Sequence, residues 1–140
     1  IEIKNNQKDL ELNIVTSRRT SDTVKNIIIK KLKNIANIWT GKGTNPYIES
    51  IQKSSFFIVT SDSTSMISEA AVSGKPIYVY HLTFKRKSKR IQNFHKEFSK
   101  LGITKDIINF NHISKWTYNP LNESERIAII IKKKIIKENI

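Results

Sequence analysis

The chain of 140 residues contains no cysteine, three prolines and four glycines. Without cysteine, disulfide bonds and thiolate metal sites are excluded, and the redox compartment is left undiagnosed. No apolar run approaches the ~20 residues that a membrane-spanning helix needs. No signal peptide is visible, because the first residues, IEIKNNQKDL, are mixed and polar. We expect a cytoplasmic protein, with peripheral contact to a membrane left open.

Acidic residues are also scarce, with 12 Asp and Glu against 25 Lys and Arg, and the formal net charge is +13. Such a charge is typical of proteins that bind phosphorylated ligands, anionic membranes or nucleic acid. A compositional bias toward Ile, Lys and Asn is an alternative source of most of the charge. Nucleic acid is the least favoured partner, since neither a stacking aromatic platform nor a helix-turn-helix pattern is visible.

Apolar residues make up 38% of the chain, which is enough for a compact core. Strand-like apolar runs alternate with segments of helical periodicity, which predicts right-handed βαβ crossovers and a parallel sheet with helices on both faces. We therefore expect an α/β, Rossmann-like fold in a single domain, residues 1–140. The first residues read like the interior of a longer protein, so we expect a fragment that lacks an N-terminal half.

The periodicity also predicts where the elements lie. Strands are expected at residues 12–16, 35–39, 56–60 and 77–80, with a short fifth strand or an extended segment at Ile107 and Ile108. Helices are expected at about residues 23–33, from Pro46 onward, and at 63–73, 89–101 and 123–137.

The segment SDSTSMISEAAVSGKP, residues 61–76, lies between two of these strands. It predicts a polar turn at the carboxyl end of a strand, followed at once by a helix, and open α/β sheets bind anions at such places. Ser63, Thr64 and Ser65 would supply small hydroxyl donors to a diphosphate. An ordinary helix start capped by Asp62 or Ser63 explains the same residues equally well. Glu69, further along the helix, could accept both hydroxyls of a ribose, or could be a surface acid paired with a lysine.

Two further loops follow the first and second predicted strands. Ser17, Arg18 and Arg19 could neutralise a diphosphate with forked hydrogen bonds. In the loop GKGTNPY, Gly43 permits a close backbone approach, and Asn45 and Tyr47 could contact a base. A solvated turn and a plain loop are the alternatives. Neither a complete dinucleotide fingerprint nor a P-loop is present.

A basic stretch, KRKSKR, occupies residues 85–90. Within it Lys85, Arg86 and Arg90 could reach phosphate or sugar, although a lone basic cluster is usually a solvated surface. The three histidines have no metal-ligand spacing, so no metal site is predicted, and His95 is interpreted as structural. No Ser-His-Asp set or carboxylate pair stands out, so no catalytic residue is assigned.

Several of these motifs together resemble the mitochondrial-fission Elm family, whose members have a GT-B-like architecture. The resemblance covers most of Val15 to Gly102. It is carried by SRRT at residues 17–20, NPY at 45–47, TSDS at 60–63, MISEA at 66–70, GKP at 74–76 and RIQNFH at 90–95. More distantly, residues 68–76 resemble the donor site of the peptidoglycan N-acetylglucosaminyltransferases, in which a turn faces the diphosphate and a helix Glu holds the ribose.

The resemblance implies the C-terminal half of a GT-B-like protein that holds UDP or a UDP-sugar as a substrate-like ligand, with no cofactor. The acceptor site and the general base usually belong to the other half in this architecture, so this chain alone is not expected to turn over substrate. The alternative is a non-catalytic module that binds a membrane surface or a protein partner. Plant members of the family are associated with recruiting the fission dynamin to mitochondria.

Overall fold

The computed structural model describes residues 1–83, 88–107 and 113–138. Within them the chain alternates between helices and parallel strands, which is the α/β class that the sequence predicts. The strands are β1 (Asn13–Val15), β2 (Asn37–Trp39), β3 (Phe57–Thr60), β4 (Ile77–Tyr80) and β5 (Thr104–Asp106). The helices are α1 (Glu2–Asn6), α2 (Asp22–Leu32), α3 (Tyr47–Lys53), α4 (Thr64–Ala71), α5 (Lys89–Lys100) and α6 (Glu123–Glu138).

The described residues form two sheets rather than the one that the sequence predicts, and they belong to two compact units. The first unit, Ile1–Ser55 with Ile107–Lys115, contains the pair β1–β2. The second unit, Phe56–Asp106 with Trp116–Ile140, contains the sheet β3–β4–β5. The single-domain assignment stays a prediction.

The first unit is a small parallel pair with its crossover helix. Val15 lies opposite Trp39 in the register of β1 and β2. Beyond the paired residues, the Thr16 amide and hydroxyl both donate to the Trp39 carbonyl, at 3.0 and 3.1 Å. Ser21 caps α2 by accepting from the Val24 amide at 3.4 Å. Pro46 is the N-cap of α3 and not, as predicted, its first helical residue.

The second unit contains the main core. Strand β4 is central in its sheet, and Ile77, Tyr78 and Val79 are all buried because both faces are covered. From α4, Ile67, Ala70 and Ala71 pack into the same core, and Phe94 and Phe98 of α5 pack against it. The two phenylalanine rings are 4.1 Å apart. Their spacing of four residues places them on one face of the helix.

The strand after α5 is wrongly placed by the sequence pattern. The fifth strand is Thr104–Asp106. It begins two residues after Gly102, whose φ of +71° ends the helix. Ile107 lies just beyond the strand, and Ile108 lies outside the described residues. The pattern misleads because Thr104, Lys105 and Asp106 have little apolar character, and only Thr104 is buried.

A segment from Trp116 to Leu121, here called the strap, has no regular secondary structure but is tied to the second unit. The Trp116 indole donates to the Gly102 carbonyl at 2.9 Å and meets the Tyr78 ring edge-on at 5.0 Å. The Tyr118 hydroxyl donates to the Lys75 carbonyl at 2.8 Å. The strap therefore fixes both the end of α5 and the turn before β4.

Candidate functional site

Helix α4 begins four residues after the end of β3, one residue later than the sequence predicts. Ser63 is the N-cap and is buried, but its side chain makes no capping hydrogen bond. Thr64 is half-buried and Ser65 is exposed. The first amide groups of a helix have no partner within it, and the helix end carries a partial positive charge. The turn thus combines a buried hydroxyl with helix amides at the carboxyl edge of β3.

Ser61 holds this turn in place. It is buried, its amide donates to the Tyr80 carbonyl at 2.9 Å, and its hydroxyl accepts from the Leu82 amide at 3.0 Å. These bonds join the turn after β3 to the turn after β4. Because the two strands are parallel neighbours, both turns lie at one edge of the sheet.

Glu69 lies in the second turn of α4 and is exposed. Its helical neighbours Ala70 and Ala71 are buried, so the small side chains face the core and the carboxylate faces outward. A carboxylate that meets a ligand has to be accessible in this way. The role in ribose binding stays a prediction.

The Gly74 turn after α4 is tightly enclosed. Gly74 has a φ of +69°, and a Cβ atom there would lie 3.0 Å from Pro120 Cγ of the strap. Before it, the Ser73 hydroxyl donates to the Ala70 carbonyl at 2.6 Å. Burial raises the pKa of Tyr118, which bonds this turn, to about 12. The turn therefore has a packing role that the sequence motif alone does not reveal.

In the first unit, two predicted loops lie at one edge of the β1–β2 pair, because the strands are parallel. Ser17 organises the first loop: its hydroxyl accepts from the Arg19 amide at 3.1 Å, and its amide donates to the Thr20 hydroxyl at 3.1 Å. Arg18 and Arg19 are exposed. Each guanidinium is therefore presented from a turn whose backbone is internally bonded.

The second loop of this edge carries Gly43, Asn45 and Tyr47. Gly43 has a φ of +76°, which glycine adopts readily. The Asn45 carboxamide oxygen accepts from the Tyr47 amide at 3.0 Å, which forms an Asx turn at the start of α3. The Tyr47 side chain is half-buried. Contact of these residues with a base stays a prediction.

The predicted residues thus fall at the carboxyl edges of two sheets, one in each unit. Their convergence on one ligand is an expectation from the sequence. Of the basic stretch, Arg90 lies exposed in the first turn of α5, whereas Lys85 and Arg86 lie outside the described residues.

Sequence reasoning missed a histidine–aspartate pair at the edge of the second sheet. His81 Nε2 lies 2.8 Å from Asp106 Oδ1, and His95 Nε2 lies 2.8 Å from the Ser61 carbonyl oxygen. The signal was available in part, since His81 directly follows a predicted strand. The sequence pattern contains no sign of its partner Asp106, because the fifth strand was expected at Ile107 and Ile108. Within residues 1–83, 88–107 and 113–138, no group of three or more potential ligands could hold a metal ion.

These features define a class: a parallel α/β protein with polar turns and a helix start gathered at the carboxyl ends of its strands. The family profile described as Mitochondrial fission ELM1 matches residues 1–135. The chain belongs to the mitochondrial fission ELM1 family, which confirms the resemblance drawn from its motifs.

Two curated relatives agree with this assignment. Mitochondrial fission protein ELM1 of Arabidopsis thaliana is 34% identical over 128 residues, which is 87% of this chain and 29% of that protein. Uncharacterized protein RP120 of Rickettsia prowazekii (strain Madrid E) is 37% identical over 125 residues, covering 83% of this chain and 34% of that protein. The chain thus spans about a third of the length of these relatives. No solved structure matches it significantly.

A membrane-spanning helix is not found in the part of the chain that the structure describes, because no helix there is both long and apolar enough.

Proposed function

We propose that this chain is the nucleotide-diphosphate-sugar-binding part of a GT-B-like protein of the ELM1 family. The observation that carries the proposal is the start of α4 at the edge of the second sheet. There the N-cap Ser63 is buried and its side chain makes no capping hydrogen bond. A short turn separates it from β3. An anionic group is the ligand that such a helix end favours.

The proposed roles follow the order of the ligand's parts. In the second unit, Ser63, Thr64 and Ser65 hold the diphosphate and Glu69 holds the ribose. For the loops of the first unit and for the basic stretch, the proposed roles are those that the sequence predicts. The further diphosphate contacts are Ser17, Arg18 and Arg19; the base contacts are Gly43, Asn45 and Tyr47; the additional phosphate or sugar contacts are Lys85, Arg86 and Arg90.

The role proposed for this chain in sugar transfer is electrostatic stabilisation. When a sugar is transferred, negative charge develops on the departing diphosphate, and preorganised amides and guanidinium groups stabilise it. The acceptor and the base that activates it are assigned to the part of the protein beyond this chain. Hence we expect binding, but no turnover, from the 140 residues alone.

Isothermal titration calorimetry with UDP and a UDP-sugar tests the proposal. We expect micromolar affinity, and Glu69→Ala should weaken it about tenfold or more, because the loss of two charge-assisted hydrogen bonds exceeds ~1.4 kcal/mol. Glu97→Ala is the matched control, since it also removes an exposed carboxylate, in this case from α5. Absence of UDP binding, or equal effects of the two substitutions, would contradict the proposal.

A second candidate function is docking on an anionic membrane surface, and helix α6 favours it. Exposed isoleucines of this helix include Ile127, Ile131 and Ile135, and the run Lys132–Lys134 lies between the last two of them. A basic helix with apolar side chains on its surface binds anionic lipid through both charge and burial. Association with phosphatidylserine vesicles that salt weakens, together with no affinity for UDP, would favour this function.

A further inference from the structure

Two histidines meet at the carboxyl edge of the second sheet. His81 directly follows β4, and Asp106 is the last residue of β5, the neighbouring strand. His95 reaches the same place from α5, and its ring lies 5.2 Å from that of His81 at an interplanar angle of 75°. Three elements therefore bring this cluster together.

The hydrogen bonds of the cluster determine which ring nitrogen is left for a ligand. The Asp106 carboxylate and the Ser61 carbonyl can only accept, so each Nε2 that faces them carries a hydrogen. The remaining nitrogen of each ring is Nδ1. For His95 this atom is buried and has no hydrogen-bond partner within the described ranges of the chain. The His81 side chain is 41% exposed, so its imidazole is accessible to a ligand.

The cluster adjoins the turn that opens α4. Residue Leu82, next to His81, donates to the Ser61 hydroxyl, and Ser61 in turn accepts from His95 at its carbonyl. The turn between β3 and α4 is thus bonded to Leu82, the neighbour of His81, and to His95. The start of α4 and the two imidazoles therefore lie at the same edge of the second sheet.

We propose that His81 is an anion-binding residue that takes a phosphate or diphosphate group, with Asp106 as its positioning residue. The step is a proton-linked association: Nδ1 gains a proton from solvent, and the resulting N–H donates to a phosphate oxygen. No covalent bond changes, and Asp106 stays a carboxylate that neutralises part of the imidazolium charge. Among the described residues, the titratable groups in contact with His81 are Asp106 of β5 and His95 of α5. The inference deepens the proposed function and rests on it for the identity of the ligand.

The Asp106 carboxylate opposes a phosphate group, so an added proton on His81 is needed to offset it. The positive end of α4, at the same edge of the second sheet, then supplies the attraction. We therefore expect proton uptake to accompany binding.

The test is a titration of the protein with inorganic pyrophosphate at neutral pH. NMR follows the ring resonances of His81, and calorimetry in buffers of different ionisation enthalpy counts protons. We expect the His81 resonances to shift and about one proton to be taken up. If the His81 ring does not respond at saturating pyrophosphate, the inference is overturned without recourse to any variant.

Two substitutions sharpen the result. His81→Gln should weaken pyrophosphate binding about tenfold, as expected for a lost charge-assisted hydrogen bond, and should abolish proton uptake. Asp106→Asn should leave binding measurable but alter the number of protons taken up, because the orienting carboxylate is gone. Lys100→Gln is the control, since it removes a cation from the far end of α5. A role of His81 confined to packing would leave the proton count unchanged.

UDP separates this inference from the proposed function. If UDP binds through Glu69 without moving the His81 resonances, the inference is overturned and the proposed function stands. If pyrophosphate moves them but UDP binds no more tightly and Glu69→Ala has no effect, the inference stands and the proposed function fails. A shift with both ligands, together with a Glu69 dependence of UDP alone, supports both.

Discussion

The two compact units differ in how they bury their apolar residues. In the second unit a continuous core links β4 with α4 and α5, and Ile67, Ala71 and Ile77 are completely inaccessible. In the described part of the first unit, only Thr16 and Ile113 are buried. Helix α2 leaves Val24 and Ile27 about half exposed on the surface.

The two units therefore obtain their stability from different contacts. An isolated two-stranded pair is marginal in water, whereas a sheet of three strands covered by helices is self-supporting. We therefore infer that the second unit provides a firm support for its edge turns. The first unit depends on other contacts, such as the two hydrogen bonds between the Gln7 side chain and the Ile113 backbone, at 2.8 and 3.4 Å.

The contrast between the units predicts its largest difference in stability when an isoleucine is truncated in each of them. Ile67→Ala should lower the free energy of unfolding by about 2–5 kcal/mol, because it removes a fully buried side chain and leaves a cavity. Ile27→Ala in α2, at 50% exposure, should cost less than about 1 kcal/mol. Urea unfolding of both variants measures the difference. Equal losses would mean that the first unit is packed as tightly as the second.

The next effect concerns the enclosed turn of the second unit. Gly74→Ala adds a methyl group 3.0 Å from Pro120 and forces alanine into a left-handed conformation. Gly102→Ala should lower stability only through the left-handed backbone conformation, by about 1–2 kcal/mol. No atom lies within 4 Å of its Cβ position.

Thermal unfolding should therefore show that Gly74→Ala loses more stability than Gly102→Ala. The difference between the two losses measures the contact with the strap. Truncating the partner in a Gly74→Ala, Pro120→Ala double variant should recover that excess. An equal melting temperature for the two single variants would mean that the strap does not enclose the turn.

Much of the second unit could be predicted from sequence because its signals are local. The apolar runs of β3 and β4, with the small-residue helix between them, fix the alternation of elements, and the predicted β4, Ile77–Tyr80, agrees with the structure. The strap could not be predicted, since its bonds from Trp116 and Tyr118 reach back over 14 and 43 residues. No local pattern encodes such contacts.

The candidate site also combines features that local sequence predicts with features that it does not. Ser63 at the start of α4 follows from capping preferences and strand position, which are short-range. The pairing of His81 with Asp106 spans 25 residues and depends on β5, a strand too polar to be located by its pattern. The sequence therefore predicts single turns. It does not predict which distant residues the order of the strands brings into contact.

The smallest effect tests whether the strap is held through the Tyr118 hydroxyl. Tyr118→Phe removes the hydrogen bond to the Lys75 carbonyl and should cost about 1 kcal/mol at neutral pH. Burial raises the pKa of Tyr118 to about 12, above the ordinary value of 10.0. The stabilising contribution of the protonated hydroxyl is therefore complete below about pH 10 and is lost as the pH rises through about 12.

The advantage of the wild type over Tyr118→Phe should accordingly shrink across that window, as measured by urea unfolding at a series of pH values. Tyr80→Phe is the control, because it removes the hydroxyl of a tyrosine that is 54% exposed. If the Tyr118→Phe variant loses stability with pH as steeply as the wild type, the hydroxyl is not held in a shielded place. The strap would then lie loosely on the second unit, and the contrast between the two units would rest on the helices and strands alone.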